Sequence, residues 1–187
     1  DVRGMVADHL GQSGVSHPVT AVLLNFRGYD TLLEIAVLLI AVLVILAVTD
    51  DATIASPRPA HALLVTLARL ATPGMILVGV YLLWAGAFRP GGAFQAGAVL
   101  AAAAVLLHLV GLWPSWQTPQ LGTRLGLTLG FWVFLGCAVA LLPQGAFLRY
   151  PPHLAGGLIL VIETTLTLSL AFILAGLFLF LSRTERP

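Results

Sequence analysis

Long apolar runs separated by short polar segments dominate the chain and predict membrane-spanning helices. A helix that crosses the hydrocarbon core needs roughly 20 mostly apolar residues, because it must satisfy its backbone hydrogen bonds internally. The runs that qualify are Thr31–Val48, Ala62–Phe88, Ala93–Trp113, Leu125–Leu142 and Leu154–Leu181. The run His17–Phe26 is too short to cross and predicts a short interfacial helix. The predicted fold class is an all-α polytopic membrane protein with about five transmembrane helices.

The composition agrees with this pattern and excludes several classes of function. Of 187 residues, 59% are hydrophobic and 9% are charged, with a mean hydropathy of +0.99, which is too apolar for a soluble globular domain. The formal charge is +1, and no basic stripe is available to hold nucleic acid. The single Cys137 cannot form an internal disulfide, and no histidine or cysteine lies at metal-ligand spacing. We therefore predict no metal, no cofactor and no nucleic-acid partner.

The loops between the runs are too short for a soluble domain, and their arginines bear on orientation. Four arginines fall on the side of the amino terminus, and five fall on the opposite side. Because cytoplasmic loops carry the excess of positive charge, this count predicts a cytoplasmic carboxy terminus by a margin of one residue.

Glu163 is the strongest candidate for an ion or proton group. It lies near the middle of the last apolar run, where a charge costs about 2.5 to 3.5 kcal/mol on insertion scales. Thr167 follows one helical turn later and is expected on the same face. Two interpretations remain open: Glu163 takes up and releases protons, or it is protonated or paired with arginine and only holds helices together.

Arg69 and His108 are further polar residues in apolar runs. Arg69 either contributes to an ion path or snorkels to the nearer surface. Pro73 removes the usual helical donor to the Arg69 carbonyl, so we expect a kink there. His108, near the end of the third run, either forms a hydrogen bond between helices or titrates as part of a path.

Glu34 has a specific structural interpretation beside the functional one. Thr31 and Glu34 have the S/T-x-x-E spacing of a capping box at the start of the first span. Arg27 is expected to pair with Asp30 or Glu34. The functional alternative is that Glu34 also takes part in proton or ion uptake.

The segment Arg89–Gly97, RPGGAFQAG, predicts a tight hairpin between two antiparallel helices. Glycine tolerates the backbone conformations that such a turn requires, and the segment has no nucleotide-binding pattern. Small residues four apart should allow close helix packing after the turn, and Gln95 adds a polar group. The residues concerned are Pro90, Gly91 and Gly92 in the turn, and Ala93, Gly97 and Ala101 on the small-residue face.

Two segments resemble known membrane subunits. RPGGAFQAGAVLAAA, from Arg89, resembles the P-G-G-[GA]-F-[QI]-[AG]-G signature of the B subunit of Mrp-type multisubunit Na+/H+ antiporters, a module that recurs in membrane-bound hydrogenases. HPVTAVLLNFRGYDTLLEIAVLLIAVL, from His17, resembles the carboxy-terminal extension of the antiporter A subunit. The pattern is retained at Phe26, Arg27, Gly28, Asp30, Thr31 and Glu34, and it differs at Asn25, Tyr29 and Leu33.

The resemblance implies two parts and a function. Residues 1–50 would be an A-like segment with one transmembrane helix, preceded in the family by a further span, and residues 51–187 a B-like four-helix domain. The family's last helix usually carries an acidic residue near Glu163. The implied function is a non-enzymatic subunit of a cation/proton antiporter in the inner or plasma membrane. Its partners would be larger antiporter-like subunits, small membrane subunits, Na+, H+ and lipid. The alternatives are an ion-translocating subunit of a complex I-related redox enzyme, such as a membrane-bound hydrogenase, and a purely structural scaffold.

Overall fold

A computed structural model describes residues 2–48, 61–113, 121–144, 148 and 150–181. Throughout this part the chain forms helices and short connections, with no strand. The helices are α1 (Val2–His9), α2 (Pro18–Ala21), α3 (Gly28–Val48), α4 (Ala62–Ala85), α5 (Ala93–Leu109), α6 (Leu121–Ala140) and α7 (Pro152–Leu181). A π-helical turn, Val22–Phe26, continues α2, and 3-10 turns occupy Leu10–Gln12 and Leu142–Gln144. The predicted all-α membrane class is confirmed.

Several predictions fall on other residues. The loop after the first span, residues 114–120, and residues 145–147 and 149 of the loop after the fourth span lie outside the described residues. So do four of the arginines used for the orientation, Arg58, Arg149, Arg183 and Arg186.

Four of the helices, α3, α4, α6 and α7, are long and apolar enough to cross a membrane. The third predicted span is shorter than expected, because α5 has 17 residues and ends at Leu109. At 1.5 Å per residue it is about 25 Å long, against a hydrocarbon core of about 30 Å. Gly111, with φ of 75°, ends it: the N–H groups of Gly111 and Leu112 donate to the carbonyls of His108 and Leu107, both at 2.9 Å. This bonding is a Schellman motif, which glycine at a positive φ permits.

Helix α7 lies at the centre of the packing, and α5, α6 and α3 all contact it. Half of its most apolar window is buried within the chain, compared with 17% for α4, which packs mainly against α5. Gly97 of α5 lies against α7, since a Cβ at that position would be 2.7 Å from the Leu170 Cβ. Small residues on α5 therefore let these two helices approach closely, the arrangement that the spacing of small residues predicts.

The first residue of α5 lies beside the middle part of α7, not beside the first turns of α7. Ala93, the first residue of α5, lies against Glu163, which is roughly 17 Å along α7 from Pro152. The space beside the first turns of α7 is filled by residues 13–21, which we call the amino-terminal strap. Gly14 of the strap has a φ of 82°, and a Cβ there would be 2.4 Å from the Gly156 nitrogen. The strap therefore packs directly on the α7 backbone.

The start of α3 differs from the sequence prediction. The helix begins at Gly28, so Thr31 lies inside it and cannot act as its N-cap. The Thr31 hydroxyl instead donates to the Leu23 carbonyl at 2.7 Å, within the preceding π-helical turn. The predicted capping box of Thr31 and Glu34 is therefore wrong, because the helical path continues from α2 through Phe26 with only a brief interruption. Arg27 does pair with Asp30, on the protein surface.

Candidate functional site

The candidate site is centred on Glu163, whose residue is 4% exposed. It lies on the face of α7 that points into the chain, between Ile159, Ile162 and Leu166, which are buried apolar residues. An ionised carboxylate in such surroundings is costly unless hydrogen-bond donors or cations compensate it. The groups around the carboxylate therefore decide what it can do.

One end of the α4–α5 hairpin forms a cradle for this carboxylate. The Ala93 N–H, at the first turn of α5, donates a hydrogen bond to it. A helix amino terminus has unpaired N–H groups and a positive partial charge, so this position favours an anion. A Cβ on Gly92 would lie 2.9 Å from Glu163 Oε1, and one on Gly86 would lie 3.3 Å away. Only glycine lets the hairpin backbone approach the carboxylate this closely.

The hairpin itself is closed by backbone hydrogen bonds to one carbonyl. Leu82 O accepts from the N–H of Gly86 at 3.1 Å and from the N–H of Gly92 at 2.9 Å. Gly92 has a φ of 105°, outside the range that residues with a side chain ordinarily adopt. A Cβ on Gly91 would lie 2.6 Å from Leu82 O. The glycines of the RPGG turn are thus required both by the turn and by the carboxylate that it contacts.

The amino-terminal strap is bonded to the same hairpin. The N–H groups of Ser16 and His17 donate to Ala87 O at 3.0 and 3.1 Å. The Thr20 hydroxyl donates to Gly86 O at 2.5 Å and is 6% exposed. Sequence reasoning did not select His17 or Thr20, because no spacing rule connects residues so far apart along the chain. The available signals were a titratable side chain directly before Pro18 and the family resemblance of the segment that begins at His17.

These elements line a partly open pocket of about 360 Å³ beside Glu163. Its polar lining comes from the strap, α3, α5 and α7, namely His17, Thr20, Thr31, Gln95 and Glu163. Pro90, Gly91 and Gly92 also line it. Since a water molecule occupies about 30 Å³ in the liquid, the pocket has room for several waters or for a partly hydrated cation. The sequence pointed to Gln95, Thr31 and Glu163 separately, and the structure brings them together.

A shallow groove next to this pocket holds the second acidic site. It is lined by Asp30, Glu34 and Phe94, with Leu33, Val37 and Leu38. Phe94 also lines the Glu163 pocket and so lies between the two. Both Glu34 and Phe94 are exposed, the latter at 38%. The two acidic sites are therefore neighbours separated by one aromatic side chain.

Arg69 and His108 are not brought to this site. Arg69 is exposed on α4, roughly 25 Å along the helix from Gly86, and α4 continues through Pro73. His108 is buried in the last turn of α5, roughly 22 Å from Ala93. Thr167 is close to Glu163 in sequence, but its hydroxyl donates to the Glu163 carbonyl at 2.8 Å. That bond ties Thr167 to its own helix, and it does not line the pocket.

Two other observations limit the chemistry. Within the described part of the chain, no three histidine, cysteine or acidic side chains come together as a metal cluster would require. Tyr150, between α6 and α7, is 5% exposed, and burial raises its pKa above the ordinary value. It therefore stays a neutral phenol at physiological pH, which makes it a poor proton carrier.

The fold and the site define a polytopic helical membrane protein with a buried carboxyl group beside a pocket that is partly lined by polar side chains. Residues 63–182 match the family model described as a domain related to the MnhB subunit of Na+/H+ antiporters. The chain belongs to this family, and the class predicted from the RPGG motif, a membrane subunit of the Mrp antiporter type, is confirmed. The strap and α3 lie outside the matched residues. No curated protein sequence matches the chain.

Two solved structures share the fold. One is the membrane-bound sulfane sulfur reductase (MBS), an archaeal respiratory membrane complex, with 26% identity over 96% of this chain and 84% of that chain and a TM-score of 0.82. The other is the Mrp complex from Dietzia sp. DQ12-45-1b, with 21% identity over 100% of this chain and a TM-score of 0.75. The match covers 23% of the Dietzia chain, so this chain corresponds to a minor part of that protein's length.

Proposed function

We propose that this MnhB-type subunit contributes part of a Na+ or proton path in a multisubunit cation/proton antiporter, with Glu163 as the group that carries the proton or binds the cation. The observation that carries the proposal is the buried Glu163 carboxyl beside a pocket of about 360 Å³ whose largely apolar lining includes the polar side chains of His17, Thr20, Thr31 and Gln95. A carboxyl group held only to stabilise helix packing does not need a pocket of this size next to it.

The surroundings of Glu163 suit reversible binding rather than a permanent ion pair. The described residues lining the pocket include no arginine or lysine, so no fixed cation neutralises the carboxylate from the pocket. One backbone N–H and the α5 amino terminus stabilise the negative form in part. A proton, or a cation with waters from the pocket, would supply the remaining compensation. This partial compensation suits a carboxyl group that alternates between an ionised state and a protonated or cation-bound state, as a transport site requires.

Partner subunits are part of this proposal. Helix α4 exposes most of its apolar surface, including Leu67, Leu70 and Leu77, and it is the least buried of the spanning helices. Both structural matches are to chains of membrane complexes. We propose that larger subunits and lipid cover these faces, and that the path continues into a neighbouring subunit. The arginine distribution supports a cytoplasmic carboxy terminus.

The test is Glu163→Gln in the assembled complex, with Na+-driven proton exchange measured in membrane vesicles. Glutamine keeps the size and hydrogen-bonding capacity of the side chain but cannot ionise. We expect normal assembly and loss of at least about tenfold in exchange, since no other pocket residue replaces an ionisable carboxyl group. Thr164→Val, at an exposed position one residue further along α7, is the control and should leave exchange unchanged. Unchanged exchange in a fully assembled Glu163→Gln complex would leave Glu163 with a packing role only.

A second candidate function is the ion-translocating subunit of a redox enzyme complex. The match to MBS favours it, because that structure has the higher identity and TM-score of the two and is covered over most of its chain. Purification of the complex through a tag on this chain distinguishes the two. Iron–sulfur signals in the purified complex by electron paramagnetic resonance would support the redox enzyme, and exchange activity without them would support the antiporter.

A further inference from the structure

The amino-terminal strap places a second titratable side chain in the Glu163 pocket. His17 lines the pocket and is half-buried, with its backbone N–H fixed to Ala87 O at 3.1 Å. From this geometry we infer that His17 is a second proton-carrying group of the Glu163 pocket, and that Thr20 is the positioning residue that sets its tautomer. The inference rests on the proposed function of Glu163 and assigns a role to a segment outside the family match.

The tautomer follows from a count of protons. His17 Nδ1 lies 3.4 Å from the Thr20 hydroxyl oxygen, and that hydroxyl donates its single proton to Gly86 O at 2.5 Å. Thr20 can therefore only accept from His17, so Nδ1 of the neutral ring carries the hydrogen. The lone pair is left on Nε2. Because a neutral imidazole accepts a proton at the nitrogen without hydrogen, Nε2 is the atom that exchanges protons with the pocket.

The two groups have complementary chemistry. Nε2 takes the proton of the protonated Glu163 carboxyl, directly or relayed through a pocket water, which gives an imidazolium ion and a carboxylate. Release of the proton to water restores the neutral ring. His17 and Glu163 are the titratable groups among the described residues that line the pocket. The strap also packs on the apolar Ala155–Gly156 turn of α7, and the charged residue nearest along the hairpin is the exposed Arg89.

The hairpin links both groups mechanically as well. Gly86 O accepts the hydrogen bond from the Thr20 hydroxyl. A Cβ added to the same glycine would lie 3.3 Å from Glu163 Oε1, so Gly86 is also next to the carboxylate. A change at Thr20 therefore reaches both the imidazole and the carboxylate. Serine at this position keeps the hydroxyl, and valine removes it while keeping the shape.

The test is His17→Asn in the assembled complex, with the pH profile of Na+-driven proton exchange as the readout. The asparagine amide can still donate to Thr20, so the strap stays in place, but it cannot carry a proton. We expect normal assembly, exchange reduced by about tenfold, and loss of the His17-dependent limb of the pH profile. His153→Gln is the matched control, because His153 is exposed in the first turn of α7 and does not line the pocket. Thr20→Val should shift the pH profile, and Thr20→Ser should restore it.

The outcomes separate this inference from the proposed function. An assembled His17→Asn complex with an unchanged rate and pH profile, in which Glu163→Gln is impaired, overturns the role of His17 alone. Unchanged exchange in Glu163→Gln overturns the proposed function. If His17→Asn does not assemble, ring-nitrogen NMR of the complex with labelled histidine in this subunit decides: a neutral ring protonated at Nδ1 and titrating at Nε2 supports the inference, and the opposite tautomer overturns it.

Discussion

The two acidic sites of this chain, Glu163 and Glu34, look alike in the sequence and differ in the structure. Both lie in apolar runs, and both fall in segments whose sequence resembles a subunit of Mrp-type antiporters. Glu163 is 4% exposed, accepts a hydrogen bond from the Ala93 N–H and lies close to the backbone of two glycines. Glu34 is exposed in a shallow groove beside Asp30, which Arg27 already pairs. The backbone groups around an acidic side chain, more than its position in an apolar run, determine the free-energy cost of its charge and its chemistry.

Among the variants that test this difference, Gly92→Ala should have the largest effect on stability and exchange activity. Alanine cannot easily adopt a φ of 105°, and its Cβ would be 2.9 Å from Glu163 Oε1. The backbone strain alone costs about 1 to 3 kcal/mol. We expect lower thermal stability of the complex in detergent and loss of most exchange activity. Gly136→Ala, in a helix with open space around the new Cβ, should leave both unchanged or slightly raise stability. Equal behaviour of the two variants would show that the cradle is not needed.

Gly97→Leu should have the second-largest effect on stability, because the larger side chain forces α5 away from α7. The Cβ alone would be 2.7 Å from the Leu170 Cβ and 3.2 Å from the Thr167 carbonyl oxygen. Overpacking of this kind typically costs 1 to 3 kcal/mol, and here it also moves the Ala93 N–H from Glu163. The melting temperature of the complex in detergent measures the cost. Gly122→Leu, with nothing near its Cβ position, is the control. A normal melting temperature for Gly97→Leu would contradict the close α5–α7 packing.

Glu34→Gln should have a smaller effect on exchange than Glu163→Gln. An exposed charge contributes about 0 to 1 kcal/mol, so we expect a decrease of at most about fivefold in Na+-driven exchange. Measurement of both variants in the same vesicles, normalised to assembled complex, gives the comparison directly. An equal or larger loss in Glu34→Gln would place the main carboxyl group of the path in the groove instead of the pocket.

The smallest effect should come from Thr31→Val, which tests the observed start of α3. Valine removes the hydroxyl bond to Leu23 O, which should cost about 1 kcal/mol of stability. Thr66→Val removes a bond within one exposed helix turn and should cost less. Chemical denaturation of the purified complex measures the difference. A larger loss for Thr66→Val would argue against the observed role of Thr31.

The long helices could be predicted from the sequence because the hydropathy pattern and the turn residues act locally along the chain. Hydropathy located all five long helices, and the RPGG turn located the hairpin, since glycine and proline act on their own backbone. The end of α5 at Gly111 was missed, although the glycine signal was present. The capping box was wrong because the S/T-x-x-E spacing does not exclude a helical segment before it. Spacing rules describe neighbours along the chain only.

The candidate site was only partly predictable, for the same reason. Glu163 is visible as an acid in an apolar run, and Gln95 as a polar residue after the turn. These two residues share a pocket with His17 and Thr20 because the strap fills the space beside the first turns of α7. That space is free because α5 begins only beside Glu163. Arg69 and His108 were selected by the same rule as Glu163, and the structure places both far from it. Contacts between distant segments decided which polar residues share a pocket.

The role proposed for Glu163 requires that its carboxyl group changes protonation when the complex exchanges Na+ for protons. Infrared difference spectroscopy of the assembled complex, with and without Na+, follows the C=O band of protonated carboxyl groups. We predict a band that changes with Na+, persists in Glu34→Gln and is absent from Glu163→Gln. A band that persists unchanged in Glu163→Gln, or that disappears only in Glu34→Gln, would contradict this role.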